Sequence, residues 1–369
     1  MVLLSSVIAT VLCFQFSLET RCYQERHHRF KILFLGRDEF SCDIFRELHA
    51  SHDVWEGIFV ATNPDTRLGR SPLKALAQSL NVPVDFIPPE KPDFKHWKPP
   101  PPFSSAAGPI PPPNPNHVLI TASFGRILTP AQLDLFEPAR RLNVHGSLLP
   151  SYRGPAPIQH AILNNATSTG VSVAQMLKRG IDKGPVWDTS EIPVSHDATF
   201  TSLRTELAAH GGKLLVNVLR EMLAGTAKST PQPAESPTPH AHGITAADAI
   251  LDFATMTGQD IVARHRAIGH QRALTTWMPS GTRLHLHDPI VSPAPPPKLS
   301  KVPGAMVYHK PERTLKEHRS TLEAREFWNG VVPHPKLLVH GELRLVRLDE
   351  EGEYWRGGGS LIPRDWHAV

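Results

Sequence analysis

The sequence predicts an α/β protein, with a Rossmann-like parallel-sheet domain followed by a small β-barrel of the OB-like kind. Three observations carry this expectation. Apolar runs ending in glycine, residues 30–36 and 117–125, have the continuity of strands buried on both faces, as parallel strands are. Segments with apolar residues at helical spacing alternate with such runs, which gives the strand–turn–helix units of a doubly wound sheet. Beyond residue 243 the chain turns to short strand-like runs separated by polar turns, the pattern of a small barrel.

In chain order, Phe-Lys-Ile-Leu-Phe-Leu-Gly at 30–36 reads as the first buried strand, and Phe40, Ile44, Phe45 and Leu48 mark a helix over 37–49. Only one glycine stands at the turn between them, so the dinucleotide-binding fingerprint is lacking. Residues 55–61 read as a second strand. The polar loop after it holds Arg67 and Arg70, which suit phosphate contacts. A helix over 73–80 and a short strand over 82–87 follow. The proline-rich stretch 88–116 is expected to bury little and to form a disordered or extended surface insertion. Residues 117–128 form the next strand and run into a glycine turn. Its backbone lies beside the strand that carries Asn143, where main-chain groups could hold a flat heteroaromatic ring.

A helix is expected over 156–164, a strand over 170–177 and a long amphipathic helix over 201–223, ending at Gly225. The Pro-, Ser- and Thr-rich residues 226–243 read as an interdomain linker. A helix over 258–268, a hairpin over 273–287 and strand-like runs at 304–308, 337–348 and 359–362 complete the chain. The basic stretch 298–319, with Lys310 and Arg313, could face a phosphate backbone.

Composition sets the outer limits. At 369 residues there is room for one large and one smaller core, and the formal net charge of +4 permits an anionic partner without requiring one. The three cysteines have no paired spacing, which supports neither a disulfide framework nor a zinc site, and no metal is expected. Residues 1–29 open with an apolar run that has no basic residue before it. That run fits a signal-like segment, an organellar presequence or a misassigned first exon, and it is too short and polar for a membrane span.

The chemistry is concentrated in residues 143–188. Asn143 and His145, two apart on an extended segment, project to the same side. Asp182 sits on a turn between Gly180 and Gly184, where its carboxylate can be aimed at the imidazole. An amide can donate to a developing oxyanion while a carboxylate-oriented histidine moves protons, a set suited to acyl or formyl transfer. Ser147 lacks a G-x-S-x-G setting and Cys13, Cys22 and Cys42 lie far upstream, so direct transfer without a covalent enzyme intermediate is expected.

The motif from Asn143-Val-His145-Gly-Ser-Leu-Leu-Pro150 through Arg153-Gly154-Pro-Ala-Pro157-Ile, with Gly170-Val-Ser-Val and Gly180-Ile-Asp182-Lys-Gly184-Pro, resembles the formyltransferases that use 10-formyltetrahydrofolate. The resemblance is to members acting on the methionine of initiator tRNA. It implies that Asn143, His145 and Asp182 are catalytic. It also implies that the folate co-substrate lies against Phe124, Gly125, Arg126, Ile127, Leu128, Ser147, Leu148, Leu149, Pro150 and the Asp182 loop. Met-tRNA would meet Arg67, Arg70, Arg153, Lys310 and Arg313. The expected organisation is a segment 1–29, a catalytic domain 30–225, a linker 226–243 and a tRNA-binding barrel 244–369, in a monomer of the mitochondrial matrix with no membrane contact. Two rivals remain: a formyltransferase acting on a small-molecule amine or a formylfolate hydrolase, and a non-catalytic RNA-binding protein on the same fold.

Overall fold

The computed structural model describes residues 29–65, 70–104, 112–235, 240–277 and 283–289, together with the backbone of short strands further on. The segment 1–28, Arg67, Lys310 and Arg313 lie outside the described residues. The chain forms two compact units.

The first unit is built on seven strands: β1 (Phe30–Leu35), β2 (Trp55–Thr62), β3 (Val84–Phe86), β4 (His117–Ala122), β5 (Arg141–His145), β6 (Ser168–Gln175) and β7 (Val186–Pro193). They form one sheet in the order β3-β2-β1-β4-β5-β6-β7. The first five are parallel, and β6 and β7 add an antiparallel pair. The expectation of a parallel sheet therefore holds for most of it. The loop from β6 to β7 is too short for a crossover, so β7 turns back on β6, whereas β6 itself runs against β5 after a longer connection. Strand order reverses between β1 and β4, the place where open α/β sheets leave a crevice.

Both faces are covered, as continuous apolar strands require. Helices α1 (Glu39–Ala50), α2 (Pro72–Ser79), α3 (Lys91–His96), α4 (Pro130–Leu133) and α6 (Phe200–Ala224) are interleaved with the strands, while α5 (Pro157–Leu163) falls mainly in the second unit. Phe34 meets Phe45 of α1 with ring centroids 5.2 Å apart. Gly211 of α6 lies against Val144, Val171 and Ile44, so α6 packs on β5, β6 and α1. Leu33, Leu35 and Leu119 belong to a second cluster with Phe94, Phe103, Phe124 and Phe136.

That second cluster corrects the reading of residues 88–116. Phe94 and Phe103 are buried, Phe103 stands edge-on to Phe59 at 5.3 Å, and the side-chain amide of Gln132 donates to the carbonyls of Phe94 and Trp97. Each buried phenyl contributes roughly 1.5–3 kcal/mol. Proline density hid these aromatic anchors, so the part of this stretch before residue 105 adds to the core through Phe94 and Phe103, while residues 112–116 stay at the surface as expected.

The linker-like stretch also differs from expectation. Thr230 pairs with Val186 in an antiparallel bridge, and Ala241, fully buried, exchanges backbone hydrogen bonds with Arg153 and Ala156. These residues form a strap laid back along the first unit.

In the second unit, α7 (Gly258–Ile268) starts with a capping box from Thr257 and Asp260, and β8 (Leu274–Trp277) pairs with β9 (Arg283–Leu286) as the expected hairpin. Beyond it only short paired strands are described, at Ala305–Met306, Leu338–Val339, Glu342–Arg344, Arg347–Leu348, Tyr354–Arg356 and Ser360–Ile362. No helix among the described residues is long and apolar enough to cross a membrane.

Candidate active site

Strand β5 delivers Asn143 and His145 to the same side, and β4 runs beside it with Thr121 opposite Asn143. Thr121 was not singled out by sequence, yet its buried hydroxyl donates to Asn143 Oδ1 at 2.7 Å. A carboxylate only accepts, so the Asn143 NH2 is turned towards Asp182 Oδ1 at 3.4 Å, which leaves the amide oxygen for Thr121.

His145 is buried, and its Nε2 lies 3.0 Å from the carbonyl oxygen of Tyr152. A carbonyl only accepts, so Nε2 carries the proton and Nδ1 faces the site with its lone pair. Asp182 Oδ2 stands 3.9 Å from Nδ1, beyond hydrogen-bond length. The expected orienting role of Asp182 is corrected accordingly: the Tyr152 carbonyl fixes the ring, and the carboxylate stands by as a charge.

Asp182 itself is held by a backbone donor, Gly154 N–H to Oδ2 at 3.0 Å. Its φ of 54° lies in the left-handed region, as does the 52° of Tyr152, so both residues that address His145 sit on strained backbone. Gly184, two residues on, lies where any Cβ would run into the Gln175 carbonyl, which lets the loop fold back over β6.

The loop from Gly146 to Gly154 is tied down from below. Ser172 on β6 accepts from Leu149 N–H at 3.0 Å and donates to the Ser147 carbonyl at 2.7 Å, while the Ser147 hydroxyl donates to Ser151 O. Ser172 is fully buried, and its only sequence signal was a polar residue inside an apolar strand.

The residues expected to hold the folate divide into two groups. Phe124, Leu128 and Leu149 turn their side chains into the core, and the Ser147 hydroxyl is fully buried, so these four could offer a ligand only their backbone. Ile127 is 71% exposed, and Gly125 has a φ of 73°. Leu148 and Pro150 are partly buried. Arg126 donates to Pro89 O at 2.7 Å and lies over the Phe94 ring, with Nη1 left unpartnered.

Among the residues expected to touch tRNA, Arg70 is exposed. Arg153 is not available. It is 6% exposed, with Nε and Nη2 donating to Gln232 Oε1 at 3.1 and 2.8 Å and further bonds to the carbonyls of Pro233 and Ala234. The resemblance implied a tRNA contact for it, and burial under the strap removes its side chain from that role. Gln232 was not anticipated at all. Its Nε2 donates to the carbonyls of Asp182 at 3.0 Å and Gly184 at 2.7 Å.

A formyl transferase family model matches residues 30–219. The mitochondrial methionyl-tRNA formyltransferase of Bos taurus is 31% identical over 328 residues, covering 83% of this chain and 78% of that one. The methionyl-tRNA formyltransferase of a Janthinobacterium species is 34% identical over 243 residues, covering 64% of this chain and 73% of that one. In fold, a 4-N formyltransferase from Francisella tularensis superposes with a TM-score of 0.52 at 14% identity, covering 72% of this chain and 99% of that one.

Proposed function

The chain belongs to the formyl transferase family, and on that basis we propose that it transfers the formyl group of 10-formyltetrahydrofolate to the α-amine of methionine esterified to initiator tRNA. The product is formylmethionyl-tRNA for translation initiation. The observation that carries the chemistry is the clustering of Asn143, His145 and Asp182 around one point, each with a separate partner that fixes it. A pure binding module has no need of that arrangement.

The amine nitrogen attacks the formyl carbon, forming the new C–N bond. The formyl oxygen becomes an oxyanion, and Asn143, its Oδ1 engaged by Thr121, has an N–H to donate to it. Nδ1 of His145 takes the proton from the attacking amine, and the resulting imidazolium faces the Asp182 carboxylate. The bond to the folate nitrogen then breaks, and the proton passes to that leaving nitrogen. No covalent enzyme intermediate forms.

For the co-substrate, the exposed Ile127 and Ile181 on the loops after β4 and β6 offer apolar cover to a flat ring system. Acceptor choice rests on the relatives. The domain division of 30–225 for catalysis and 244–369 for tRNA, a C-terminal OB-like barrel, tRNA contacts by Arg67, Arg70, Lys310 and Arg313, and a place in the mitochondrion are parts of the same reading. The mitochondrial location is supported by the cattle relative.

The test is to incubate the full-length protein with formyl-labelled 10-formyltetrahydrofolate and Met-tRNA, with free methionine and glycinamide ribonucleotide in parallel reactions. Label on Met-tRNA alone is expected. Label on a small amine, or released as formate, refutes the acceptor.

A further inference from the structure

We propose that Gln232 is a positioning residue that locks the two strained turns addressing His145 into one unit, so that the strap from the end of α6 sets the competence of the site. The inference rests on the formyl-transfer reading above and adds a residue outside the central motif.

The geometry is specific. Tyr152, whose carbonyl fixes the imidazole, and Asp182, whose carboxylate faces Nδ1, both have positive φ without being glycine. Such residues persist only where the surroundings over-determine them. One side-chain amide meets that need for both turns. Its Nε2 spends its two hydrogens on the carbonyls of Asp182 and Gly184, which brackets the second turn. Its Oε1 accepts two bonds from Arg153, the residue next to Tyr152, which anchors the first. Arg153 is held further by the carbonyls of Pro233 and Ala234 on the same strap.

The Gly154 N–H to Asp182 bond closes the ring of contacts. Gly154 has a φ of 124°, and a Cβ there would come within 2.5 Å of the Ala241 carbonyl, so the strap seats only against glycine. Glutamine suits this position because it both donates and accepts. A carboxylate could keep Arg153 but would set oxygen against the carbonyls of Asp182 and Gly184, and a methionine could do neither.

The experiment compares wild type, Gln232→Ala, Gln232→Glu, Arg153→Ala and the Gln232→Ala/Arg153→Ala double variant, all full length. The readouts are kcat and KM for Met-tRNA formylation and amide exchange over residues 150–156 and 178–186. Misplacement by about 1 Å costs about 100-fold in rate, so kcat for Gln232→Ala should fall by roughly 10- to 100-fold with KM for Met-tRNA changed by less than about twofold. Gln232→Glu should not restore it, and the double variant should be no worse than the poorer single variant, as coupled partners require. Exchange should quicken in those two segments and not across β1 or β4.

Unchanged exchange in both segments, or a wild-type kcat with only a lower Tm, overturns the proposal. So does a raised KM at unchanged kcat, which would make the strap part of the acceptor surface. A wild-type protein that fails to formylate Met-tRNA sinks the functional reading instead, and the exchange data still decide for or against the clasp.

Discussion

Replacing Asp182 with asparagine changes almost no volume, which makes it a clean perturbation of the site. Both carboxylate oxygens are acceptors in the folded protein: Oδ2 takes the Gly154 N–H at 3.0 Å, and Oδ1 faces the Asn143 NH2 at 3.4 Å. An amide has one acceptor, so either rotamer sets an NH2 against an N–H donor. With the side chain only 11% exposed, water cannot readily repair the mismatch. An orphaned buried donor costs about 1–3 kcal/mol. For a unit of this size that lowers Tm by roughly 3–10 °C.

The catalytic effect has a different origin. Two unit charges about 4 Å apart interact by about 4 kcal/mol at an effective dielectric constant of 20, and the separation from Nδ1 is 3.9 Å. Allowing for partial solvation, loss of roughly half of that from the imidazolium-bearing transition state lowers kcat by about 30-fold. The assay is steady-state formylation of Met-tRNA at a temperature where circular dichroism shows the variant folded. A kcat within about threefold of wild type would refute the charge role, whatever the Tm.

Two other outcomes follow from the packing. Ser172→Ala strands the Leu149 N–H and the Ser147 carbonyl in a fully buried position. The variant should lose about 2–4 kcal/mol in urea unfolding, and a change below about 0.5 kcal/mol would contradict the bonding. Burial, aided by the negative charge of Glu39, pushes the Cys42 thiol from its ordinary 9.0 up to about 12. Folding therefore favours the neutral thiol. This contribution is fully present below about pH 9 and is lost as pH rises towards 12. Native protein at pH 8.5 should resist iodoacetamide at Cys42 while urea-unfolded protein reacts, as read by peptide mass spectrometry, and equal rates would contradict it.

Much of this was legible in the chain. The apolar runs that became β1 and β4 can only be strands buried on both faces, and the leucine spacing over 201–223 recovers α6 to within a residue at each end. Asn143 and His145 were readable because a period of two puts them side by side, and Asp182 because glycines mark its turn. What stayed hidden depends on distance in sequence. The Thr121 hydroxyl matters only because β4 lies beside β5, and Gln232 only because the strap returns across 50 residues to Asp182. Arg153 misled because a motif match does not reveal that the side chain is buried under the strap. The proline-rich stretch misled because its sparse aromatic residues outweigh its composition once a core is there to receive them.

The most direct test of direct transfer at Asn143 and His145 is a single-turnover reaction. Full-length wild type, Asn143→Ala and His145→Ala would each be mixed with formyl-labelled 10-formyltetrahydrofolate and Met-tRNA and quenched in denaturant. The prediction is label moving from folate to Met-tRNA with none on the protein. Asn143→Ala should slow transfer by about 100- to 1,000-fold, the usual loss of an oxyanion donor, and His145→Ala should abolish it while the protein stays folded. Label retained on the denatured protein, or near wild-type transfer by either variant, would contradict it.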